Sequence, residues 1–420
     1  MNFFEELKWR GLYFDSTPNA EKLAIESKKT AYIGFDPTAI SLTIGNLVPI
    51  IILMHWQRCG HQAIALVGGA TGMIGDPSGK KSERDFLTQQ QLIQNQEGIT
   101  NQLKHFLNFE DAHNPAILLN NYDWFSTMSM LDFLREAGKQ LTLSYMLAKD
   151  SVQSRIEGGL SFTEFSYQLI QGWDFYHLHQ HHNCTYQLGG QDQWGNMTAG
   201  LEIIRKKTES NAAQVITFPL VTKADGTKFG KSESGAVWLD PQLTTPFEFY
   251  QFWLRQSDTD AERYIKIFTF LDKPTIDLCI AQHKASPHLR YLQQKLAAEV
   301  TLLVHNNEAL QIAIQQTEKT YAADFDKFTD ADFEKFGSKL FQIKSDSIIN
   351  GINIVTLLGA EVAIYSSKGE ARREISAGAI KINADKISDV EYIIDAKVLL
   401  NNKYIIVQRG KKSKFVIEVI

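Results

Sequence analysis

The sequence predicts an α/β protein with a Rossmann-like, doubly wound parallel sheet, followed by a helical domain and a small α/β domain. Up to about residue 222, short β-rich runs alternate with long helical patterns, which is typical of a parallel sheet with crossover helices. From Pro246 the pattern is helical with few β-branched runs, and from Ile352 we expect an amphipathic helix followed by short strands. The 420 residues leave room for about three such domains.

The strands predicted for the first domain are short apolar runs, each followed by a turn, a glycine pair or a polar loop. They are Ala31–Phe35, Ala63–Val67, Ala116–Leu119, Thr185–Leu188 and Gln214–Val221. A long helix is predicted from Ser161 to His179, with a capping box formed by Ser161 and Glu164. A second helix follows the fourth strand and extends to about Lys206.

The predicted domain boundaries follow these changes of pattern. They are a Rossmann-like domain at 1–222, a loop and linker at 223–245, a helical domain at 246–320, a charged linker at 321–350 and a small α/β domain at 351–420.

Composition excludes several classes of protein. The longest nearly apolar run, Leu47 to Trp56, is far shorter than the ~18 residues that a membrane span needs. The first residues have neither a basic nor an apolar region, so we expect no secretory signal. The three cysteines, Cys59, Cys184 and Cys279, form neither a disulfide framework nor a zinc pattern, which favours a cytoplasmic protein.

The formal charge is unevenly distributed along the chain. The whole chain carries −5, whereas residues 351–420 contain 11 Lys and Arg against 8 Asp and Glu, a net +3, which leaves −8 for the rest. A basic C-terminal module on an acidic body suggests an end that faces RNA or phosphate. Chance variation in surface charge explains this difference about equally well.

Two motifs near the start resemble phosphate-binding segments. Ser41–Leu47 enters a helix, where backbone N–H groups and the helix dipole favour an anion, although most such turns are plain helix caps. Gly68–Gly75 contains the spacing of a dinucleotide fingerprint. The polar, basic sequel Asp76–Arg84, broken by Pro77, instead favours a substrate loop over the apolar helix of an NAD(P) reductase.

Two further segments could bind a small polar molecule. Tyr167, Gln171 and Asp174 share one helical face amid apolar neighbours, which suits either an aromatic ligand with polar ends or a buried structural network. Gly189–Asn196 lies between a strand and a helix, where ligands bind in open α/β sheets. An ordinary tight turn is an equally good local interpretation of that junction.

Two remaining motifs are less specific. Asp225–Ser232 contains Lys228 and Lys231 in a glycine-rich loop that fails the P-loop spacing but suits a mobile phosphate clamp or a solvated hairpin turn. The His177–Cys184 segment is rich in histidine, yet it lacks the paired second half of a metal site. We therefore predict no protein-bound metal.

In this order, the motifs resemble the tyrosyl-tRNA synthetase family of class I. The resemblance covers Tyr32 to Ser234 through Tyr32–Thr38, Thr43–Asn46, Val67–Gly79, Gly189–Asn196 and Lys228–Ser232. Residues 366–383 are similar to the S-four-type RNA-binding domain of bacterial members. The resemblance therefore implies a catalytic domain at 1–222, a mobile phosphate-clamp loop and linker at 223–245 and an S-four-type RNA-binding domain at 351–420. The family's first signature is often His-Ile-Gly-His, and this chain has Thr43 and Asn46 in place of the two histidines.

The resemblance implies a role for each matching residue. For tyrosine these are Tyr32 and Asp174 at the phenolic hydroxyl, Asp76, Tyr167 and Gln171 at the ammonium group, and Gln193 at the carboxyl end. For ATP they are Gly34, Asp36, Thr38, Thr43, Gly45, Asn46, Gly190 and Asp192, and for pyrophosphate Lys80, Arg84, Lys228 and Lys231. For tRNA they are Lys368, Arg372, Arg373 and Lys381, with Lys411, Lys412 and Lys414 as possible additions.

The implied reaction is the activation of tyrosine by ATP with Mg²⁺, without a tightly bound cofactor, followed by transfer to tRNA(Tyr). Catalysis would rest on position and positive charge, which involves Lys80, Arg84, Lys228, Lys231, Thr38 and Thr43. Phenylalanine would leave the buried hydroxyl partners unpaired, a rule for which tyrosyl-tRNA synthetases are the established example. The family also implies a homodimer in which Phe162 falls at the interface.

Two rival functions remain from the sequence. Tryptophan activation on the same scaffold is disfavoured because an indole offers no hydroxyl to Tyr32 and Asp174. An RNA-binding protein that has lost catalysis, with Thr43 as the first lesion, is disfavoured by the intact Lys228–Ser232 motif.

Overall fold

The protein is described by a computed structural model. It covers residues 2–78, 87–156, 158–227, 229–232, 235–322, 325, 328–334, 336, 340–410 and 413–420. The elements up to Phe218 are, in chain order, α1 (Phe3–Arg10), β1 (Asp15–Ser16), α2 (Ala20–Glu26), β2 (Thr30–Phe35), α3 (Ile44–Arg58), β3 (Gln62–Val67), α4 (Thr71–Ile74), α5 (Gln89–Phe106), β4 (Ile117–Asn120), α6 (Tyr122–Phe125), α7 (Met130–Glu136), α8 (Leu143–Leu147), α9 (Asp150–Ile156), α10 (Phe162–His182), β5 (Cys184–Gly190), α11 (Trp194–Thr208) and β6 (Gln214–Phe218).

The strands of this part form a sheet with the order β1-β6-β5-β2-β3-β4. All neighbours are parallel except β1, which pairs with β6 in the antiparallel sense. The chain runs outward from β2 through β3 to β4 and then returns to β5 on the other side of β2. The sheet is therefore doubly wound, as predicted, and the switch point lies between β2 and β5.

The central strands are buried along nearly their whole length, because helices cover both faces of a parallel sheet. Tyr32, Ile64 and Val215 of three strands pack with Phe175 of α10 and Met197 of α11 in one apolar cluster. This packing fixes α10 against the sheet and thereby places the polar face of α10 beside the switch point.

Two predictions for this part are corrected. The fifth strand ends at Phe218 and not at Val221, because Pro219 has no N–H to donate to the sheet. The glycine-rich segment after β3 contains one helical turn, Thr71–Ile74, and then continues as a loop as far as Ser78. This short turn differs from the long apolar helix that follows a dinucleotide fingerprint.

The remaining elements follow the same numbering. They are β7 (Lys231–Ser232), β8 (Gly235–Ala236), α12 (Pro246–Leu254), α13 (Asp258–Phe268), α14 (Lys273–Ala285), α15 (Tyr291–Val304), α16 (Asn307–Ala322), α17 (Asp330–Glu334), β9 (Leu340–Ile343), α18 (Ser345–Ile349), β10 (Ile352–Asn353), α19 (Ile354–Thr356), α20 (Lys368–Ser376), β11 (Ile380–Ile382), β12 (Asp385–Ile387), β13 (Ile393–Ile394), β14 (Tyr404–Arg409) and β15 (Ser413–Val419).

The chain forms two compact units whose limits differ from the predicted helical domain at 246–320. The first comprises residues through Leu243 together with Gln256–Val304, and the second comprises Thr244–Arg255 and His305–Ile420. In the first, the guanidinium of Arg10 donates hydrogen bonds to carbonyl oxygens at the end of α13 and just after it. In the second, Gln251 of α12 donates to Thr317 of α16 over 2.8 Å. Long-range contacts of this kind decide the grouping of the helices.

The second unit contains a sheet with the order β12-β11-β14-β15-β9. One face of this sheet packs against Ala371 and Ile375 of α20. The other face carries an aromatic cluster formed by Phe325, Phe328, Phe333, Phe336 and Tyr404, together with Ile406 and Val416.

This arrangement corrects the prediction that residues 321–350 are a linker. It supplies four of the clustered phenylalanines and the strand β9, which pairs with β15 in the parallel sense. Charged residues separate the phenylalanines in the sequence, so no helical or strand period is visible there. The expected amphipathic helix after Ile352 is likewise reduced to α19 and one further turn.

No helix in the described ranges is long and apolar enough to cross a membrane.

Candidate active site

The candidate site lies at the carboxyl ends of β2, β3, β4 and β5. These ends meet at the switch point of the sheet, where open α/β folds bind their ligands. Tyr32 and Gly34 belong to β2, and Gly190 ends β5. Tyr167 and Asp174 reach the same region from α10. Most residues that the sequence assigns to tyrosine and ATP are thus brought together.

Asp174 is a buried carboxylate held from two sides. Asn121 Nδ2 donates to one of its oxygens and Trp124 Nε1 to the other, each over 3.0 Å. Burial raises the pKa of the Asp174 carboxyl well above its usual range, and these two hydrogen bonds act in the opposite direction. Both partners fix the orientation of the carboxylate, which leaves its remaining lone pairs for a ligand.

Tyr32 stands near Asp174 with an unused hydroxyl. The Tyr32 ring is buried against Phe175, and its hydroxyl makes no hydrogen bond to any residue that the structure describes. Burial and the charge of Asp174 raise the pKa of the Tyr32 phenol, so the group stays protonated and can donate. A buried hydroxyl without a partner is costly unless a ligand supplies one.

Asp76, in the loop after β3, is a second carboxylate that accepts several hydrogen bonds. Its oxygens accept hydrogen bonds from Gln193 Nε2 over 2.7 Å and from the Ser78 N–H over 3.0 Å. Asn196 Nδ2 approaches to 3.4 Å. On α10, the buried amide oxygen of Gln171 makes no hydrogen bond within the described part of the chain. Both Asp76 and Gln171 are acceptors, as a substrate ammonium group requires.

Tyr167 and Asp36 are joined to each other. The Tyr167 hydroxyl donates to one Asp36 oxygen over 2.9 Å, and the Thr71 hydroxyl donates to the other over 2.6 Å. Burial, with the charges of Asp36 and Asp76, raises the pKa of the Tyr167 phenol. Because these internal bonds occupy the Asp36 carboxylate, a contact between Asp36 and ATP would compete with them.

Asp192 follows the glycine pair that ends β5. Burial and the nearby charge of Asp76 raise the pKa of its carboxyl. A side chain on Gly190 would place its Cβ 2.5 Å from Asp192 Oδ1, so glycine is needed for this carboxylate position. A partly buried acceptor at this sheet edge suits the two hydroxyls of a ribose.

Thr43 and Asn46 begin α3 as a hydrogen-bonded pair. Asn46 Oδ1 accepts from the Thr43 N–H over 3.0 Å and from the Thr43 hydroxyl over 2.9 Å. The Asn46 oxygen is therefore used internally, and its Nδ2 group is the donor that it can offer to a phosphate. The Thr43 hydroxyl already donates its hydrogen, which argues for a weak direct contact to an anion.

We expect Thr43→Ala to slow tyrosine activation by about fivefold, the size of one lost neutral hydrogen bond. Asn46 keeps the bond from the backbone of residue 43, so the helix start remains intact. Pre-steady-state measurement of adenylate formation tests this expectation. A rate within about twofold of the parent, roughly 0.4 kcal/mol of barrier, would remove Thr43 from the site.

The structure describes only part of the predicted phosphate clamp. Lys80, Arg84 and Lys228 lie outside the described residues, and Lys231 contributes its main chain to β7. Within the same motif, the ring of Phe229 packs against Phe268 and Tyr264 of α13.

Gly230 brings the clamp to the first motif. Its φ of 97° favours glycine, and an added Cβ would lie 3.7 Å from the Gly45 nitrogen. The backbone N–H of Ile44 also donates to the Val237 carbonyl over 3.0 Å. The two motifs that the sequence assigns to ATP therefore touch.

The histidine-rich segment is used in local packing. His177 stacks on Trp124 and lies 4.4 Å from His181, and His179 Nδ1 is bonded to the Cys184 carbonyl oxygen. Burial lowers the pKa of His177 to about 4. Among the described residues, no group of three or more His, Cys, Asp or Glu is placed to hold a metal ion.

The residues that support the site are not among those predicted from the sequence. Asn121 and Trp124 hold Asp174, Thr71 holds Asp36, and Asn196 approaches Asp76. The position of Asn121 directly after β4 was an available signal, because parallel strands carry ligand-binding groups at their carboxyl ends. Trp124 gave no such signal, since a tryptophan in a short helix is usually a core residue.

The basic residues predicted for tRNA divide between two faces of the second unit. Lys368, Arg372 and Arg373 are exposed on α20. Lys381 of β11 points to the opposite face of the sheet, because its neighbours Ile380 and Ile382 pack on the α20 side.

On that opposite face, Lys381 and Lys414 are each aligned with Gln408 of β14 in a cross-strand row. Burial, with the positive charges of Arg255 and Lys381, lowers the pKa of Lys414 to about 8. Arg255, at the end of α12, was not predicted.

The first comparison with known proteins is by family. Residues 25–322 match the family described as tRNA synthetases class I (W and Y). The chain belongs to this family. Residues 339–417 match the tyrosine–tRNA ligase SYY-like C-terminal domain. The resemblance to the tyrosyl-tRNA synthetase family that the sequence motifs predict is confirmed.

Relatives of known name agree along the full length. The chain is 51% identical to the tyrosine–tRNA ligase of Flavobacterium johnsoniae over 100% of both chains. It is 50% identical to the tyrosine–tRNA ligase of Bacteroides fragilis strain YCH46 over 99% of both chains. The crystal structure of a C-terminally truncated mitochondrial tyrosyl-tRNA synthetase from Coccidioides posadasii is 33% identical. The match covers 75% of the present chain and 91% of the chain in that crystal structure, with a TM-score of 0.67.

A tryptophanyl-tRNA synthetase structure from Encephalitozoon cuniculi shares the fold alone, at 11% identity and a TM-score of 0.53 over 79% of this chain and 90% of its own. The family membership leaves the NAD(P) reductase alternative without support. Between tyrosine and tryptophan, the relatives at about half identity and the C-terminal domain both favour tyrosine.

Proposed function

We propose that this chain activates tyrosine with ATP to give tyrosyl-adenylate and pyrophosphate, and then transfers tyrosine to the 3′-terminal adenosine of tRNA(Tyr). The observation that carries the proposal is the pair formed by the Tyr32 hydroxyl, which has no hydrogen-bond partner among the described residues, and the Asp174 carboxylate, which Asn121 and Trp124 hold from two sides. One group donates and the other accepts, so together they satisfy both hydrogen-bonding capacities of a phenolic hydroxyl. Phenylalanine has no group for this pair, and the indole of tryptophan is a donor only, so it could bond to Asp174 but could not accept from Tyr32.

The same cleft supports the rest of the substrate. We propose that Asp76, Tyr167 and Gln171 bind the ammonium group and Gln193 the carboxyl end. Asp76 and Gln193 are bonded to each other over 2.7 Å, so both ends of the amino acid would be placed by one network. Asp192 and Gly190 would then take the ribose, and Gly34 leaves open space along β2 for the nucleotide.

The proposed chemistry needs position and charge, with no enzyme nucleophile. The tyrosine carboxylate attacks the α-phosphate of ATP, and pyrophosphate leaves. ATP arrives with Mg²⁺ as part of the substrate, and we propose no tightly bound cofactor. Asn46, the start of α3 and the lysines of the 228–231 motif stabilise the leaving group as its charge develops. Thr38, Lys80 and Arg84 complete this proposed set.

Amino-acid-dependent ATP–pyrophosphate exchange tests the proposal. Exchange with tyrosine, and none above background with phenylalanine or tryptophan, is the expected result. Charging of tRNA(Tyr) by the same preparation tests the second step. Absence of exchange with all three amino acids, from protein shown to be folded, would contradict the enzyme function and favour an RNA-binding relative without catalysis.

We further propose that the second unit binds tRNA. Exposed Lys368, Arg372 and Arg373 support this on α20, and Lys381 with Lys414 supports it on the sheet. Lys and Arg that neutralise phosphates provide most of the affinity of such surfaces. Since the enzyme's substrates ATP and tRNA are cytoplasmic, we place the protein there.

The lowered pKa of Lys414 predicts a pH-dependent affinity for tRNA. A lysine with a pKa of about 8 is charged below that pH and loses its charge above it, whereas ordinary lysines keep theirs to about 10.4. We expect tRNA affinity to fall about fivefold between pH 7 and 9, the loss of one phosphate contact. Filter binding at constant salt measures this change.

Lys414→Met should bind tRNA at pH 7 as the parent does at pH 9, and should show little further change with pH. Lys403→Met is the matched control, because Lys403 is paired with Glu418 over 2.8 Å and its pKa is raised. An unchanged pH dependence in Lys414→Met would contradict the assignment.

We also propose that the chain forms a homodimer through the segment from α7 to the start of α10. Met130, Leu131, Leu143 and Phe162 there are between 68% and 79% exposed. The inner sides of the same helices are anchored in one core through Leu141, Met146 and Leu169 and their neighbours. Apolar side chains concentrated on rigid helices are typical of an association surface.

Phe162→Asp should therefore shift the mass measured by light scattering from dimer toward monomer. Leu278→Asp is the control, because Leu278 is 68% exposed on α14, outside this segment. A dimer that persists in Phe162→Asp and dissociates in Leu278→Asp would place the interface elsewhere.

A further inference from the structure

We infer that α5 positions the nucleotide-binding loop, and that Gln102 and Gly98 are the residues through which it does so. The loop comprises residues 36–43, between β2 and α3. The inference rests on the proposed function, because that function assigns Thr38, Thr43 and Asn46 to ATP. It concerns residues that act on the loop, so they are positioning residues rather than catalytic ones.

Gln102 uses both ends of its amide on the loop. Its Oε1 accepts from the Leu42 N–H over 2.8 Å, and its Nε2 donates to Ser41 Oγ over 2.8 Å. About two turns earlier on the helix, Asn95 Nδ2 donates to the Pro37 carbonyl over 3.0 Å. Residues 95, 98 and 102 share one helical face, so α5 contacts the loop at both of its ends.

Gly98 lets the helix and the loop approach between these two bonds. A Cβ on Gly98 would lie 2.0 Å from the carbonyl oxygen of Ile40. That oxygen belongs to the backbone, so any side chain at this position must displace the loop or the helix. Glycine weakens a helix interior by about 1 kcal/mol relative to alanine, and here close packing offsets that cost.

The other side of the loop is bonded to the segment that follows the 228–232 motif. Ser41 Oγ accepts from the Asp240 N–H over 3.2 Å, and the Leu239 N–H donates to the Leu42 carbonyl over 2.9 Å. Thr43 forms a β-bridge with Trp238. Ser41 is therefore a shared point, bonded at once to α5 and to the chain that leaves the phosphate clamp.

In this arrangement, loss of the Gln102 bonds is expected to weaken the binding of ATP. When Gln102 is removed, Ser41 and Leu42 lose their support from α5, and the start of α3 loses its fixed distance from the clamp. Binding of ATP then requires the loop to be ordered first, which weakens ATP binding. The proposed tyrosine subsite is linked to the loop through the bond from Tyr167 to Asp36, at the end of the loop that Asn95 holds through Pro37. Because removal of Gln102 leaves that end in place, tyrosine binding is not expected to change.

The test is a set of variants assayed by ATP–pyrophosphate exchange and by tyrosine binding at equilibrium. Gln102→Ala and Gly98→Ala should each raise the KM for ATP about tenfold, the effect of one or two lost hydrogen bonds, with the Kd for tyrosine unchanged. Gln94→Ala is the matched control, since Gln94 is an exposed glutamine on the same helix. Thermal melting shows whether each variant is folded.

A double-mutant cycle separates positioning from a general loss of stability. If Gln102 acts through Ser41, the double variant Gln102→Ala with Ser41→Ala should raise the KM for ATP little more than either change alone. An equal rise in the tyrosine Kd, or an ATP KM within twofold of the parent in Gln102→Ala, would overturn the inference.

Asn46→Ala distinguishes failure of this inference from failure of the proposed function. A raised ATP KM in Asn46→Ala with an unchanged one in Gln102→Ala would retain the ATP site and reject the role of α5. Unchanged values in both variants would reject the proposed ATP site itself, and the inference with it.

Discussion

Asp174→Asn is expected to lower kcat/KM for tyrosine about 1,000-fold, or roughly 4 kcal/mol of transition-state stabilisation. Trp124 Nε1 and Asn121 Nδ2 each donate to one oxygen of the carboxylate over 3.0 Å. An asparagine offers one acceptor and one amide donor, so one of these buried N–H groups would face another donor. Each unsatisfied buried group costs about 1–3 kcal/mol, and in the proposed site the phenolic hydroxyl of tyrosine would lose its carboxylate acceptor as well.

The controls use neighbours of known position. Asp123→Asn changes an exposed carboxylate beside Trp124 and should leave exchange unaltered. Tyr32→Phe removes one neutral hydroxyl and should cost about tenfold. A value of kcat/KM for Asp174→Asn within threefold of the parent would contradict the assignment of Asp174 to the substrate hydroxyl.

Lys231→Met is expected to lower kcat for tyrosine activation by about 100- to 1,000-fold while tyrosine affinity is retained. In the proposed role, the positive charge acts where the pyrophosphate develops its charge, so it would contribute mainly in the transition state. Phe229, two positions earlier, is packed on α13, and Gly230 lies against Gly45. These contacts place residue 231 next to the start of α3.

Lys223→Met is the control for this second variant, because Lys223 lies in the preceding turn, where its carbonyl accepts from Gly226. Single-turnover formation of the adenylate gives kcat for the chemical step, and equilibrium dialysis gives tyrosine affinity. If Lys231→Met weakened tyrosine binding and left the chemical step intact, the clamp would not act on pyrophosphate.

The spacing of the polar residues on α10 predicts that they share a face, but it does not predict what that face does. Tyr167, Gln171 and Asp174 lie at helical spacing and therefore on one side of the helix. The spacing left a structural network and a ligand site equally possible. The structure shows Tyr167 of this face bonded to Asp36, as a structural network requires. It leaves the Gln171 oxygen of the same face without a described partner, which is compatible with the proposed ligand site.

The sequence alone determined the fold class and the family. Alternating strands and helices require a parallel sheet, and motifs that follow consecutive strands must meet at its carboxyl edge. Functional residues that lie within one local segment can be predicted from the sequence, because a helix face, a glycine turn or a strand end involves residues close together in the chain.

Tertiary structure alone decided what supports those segments. The bonds of Asp174 to Trp124, of Gln102 to Ser41 and Leu42, and the pairing of β9 with β15 join parts of the chain whose separation leaves no period to detect. Such contacts depend on which side chains fill the same space after folding. Local periodicity reports which face of an element is buried, and it carries no information about what that face is buried against.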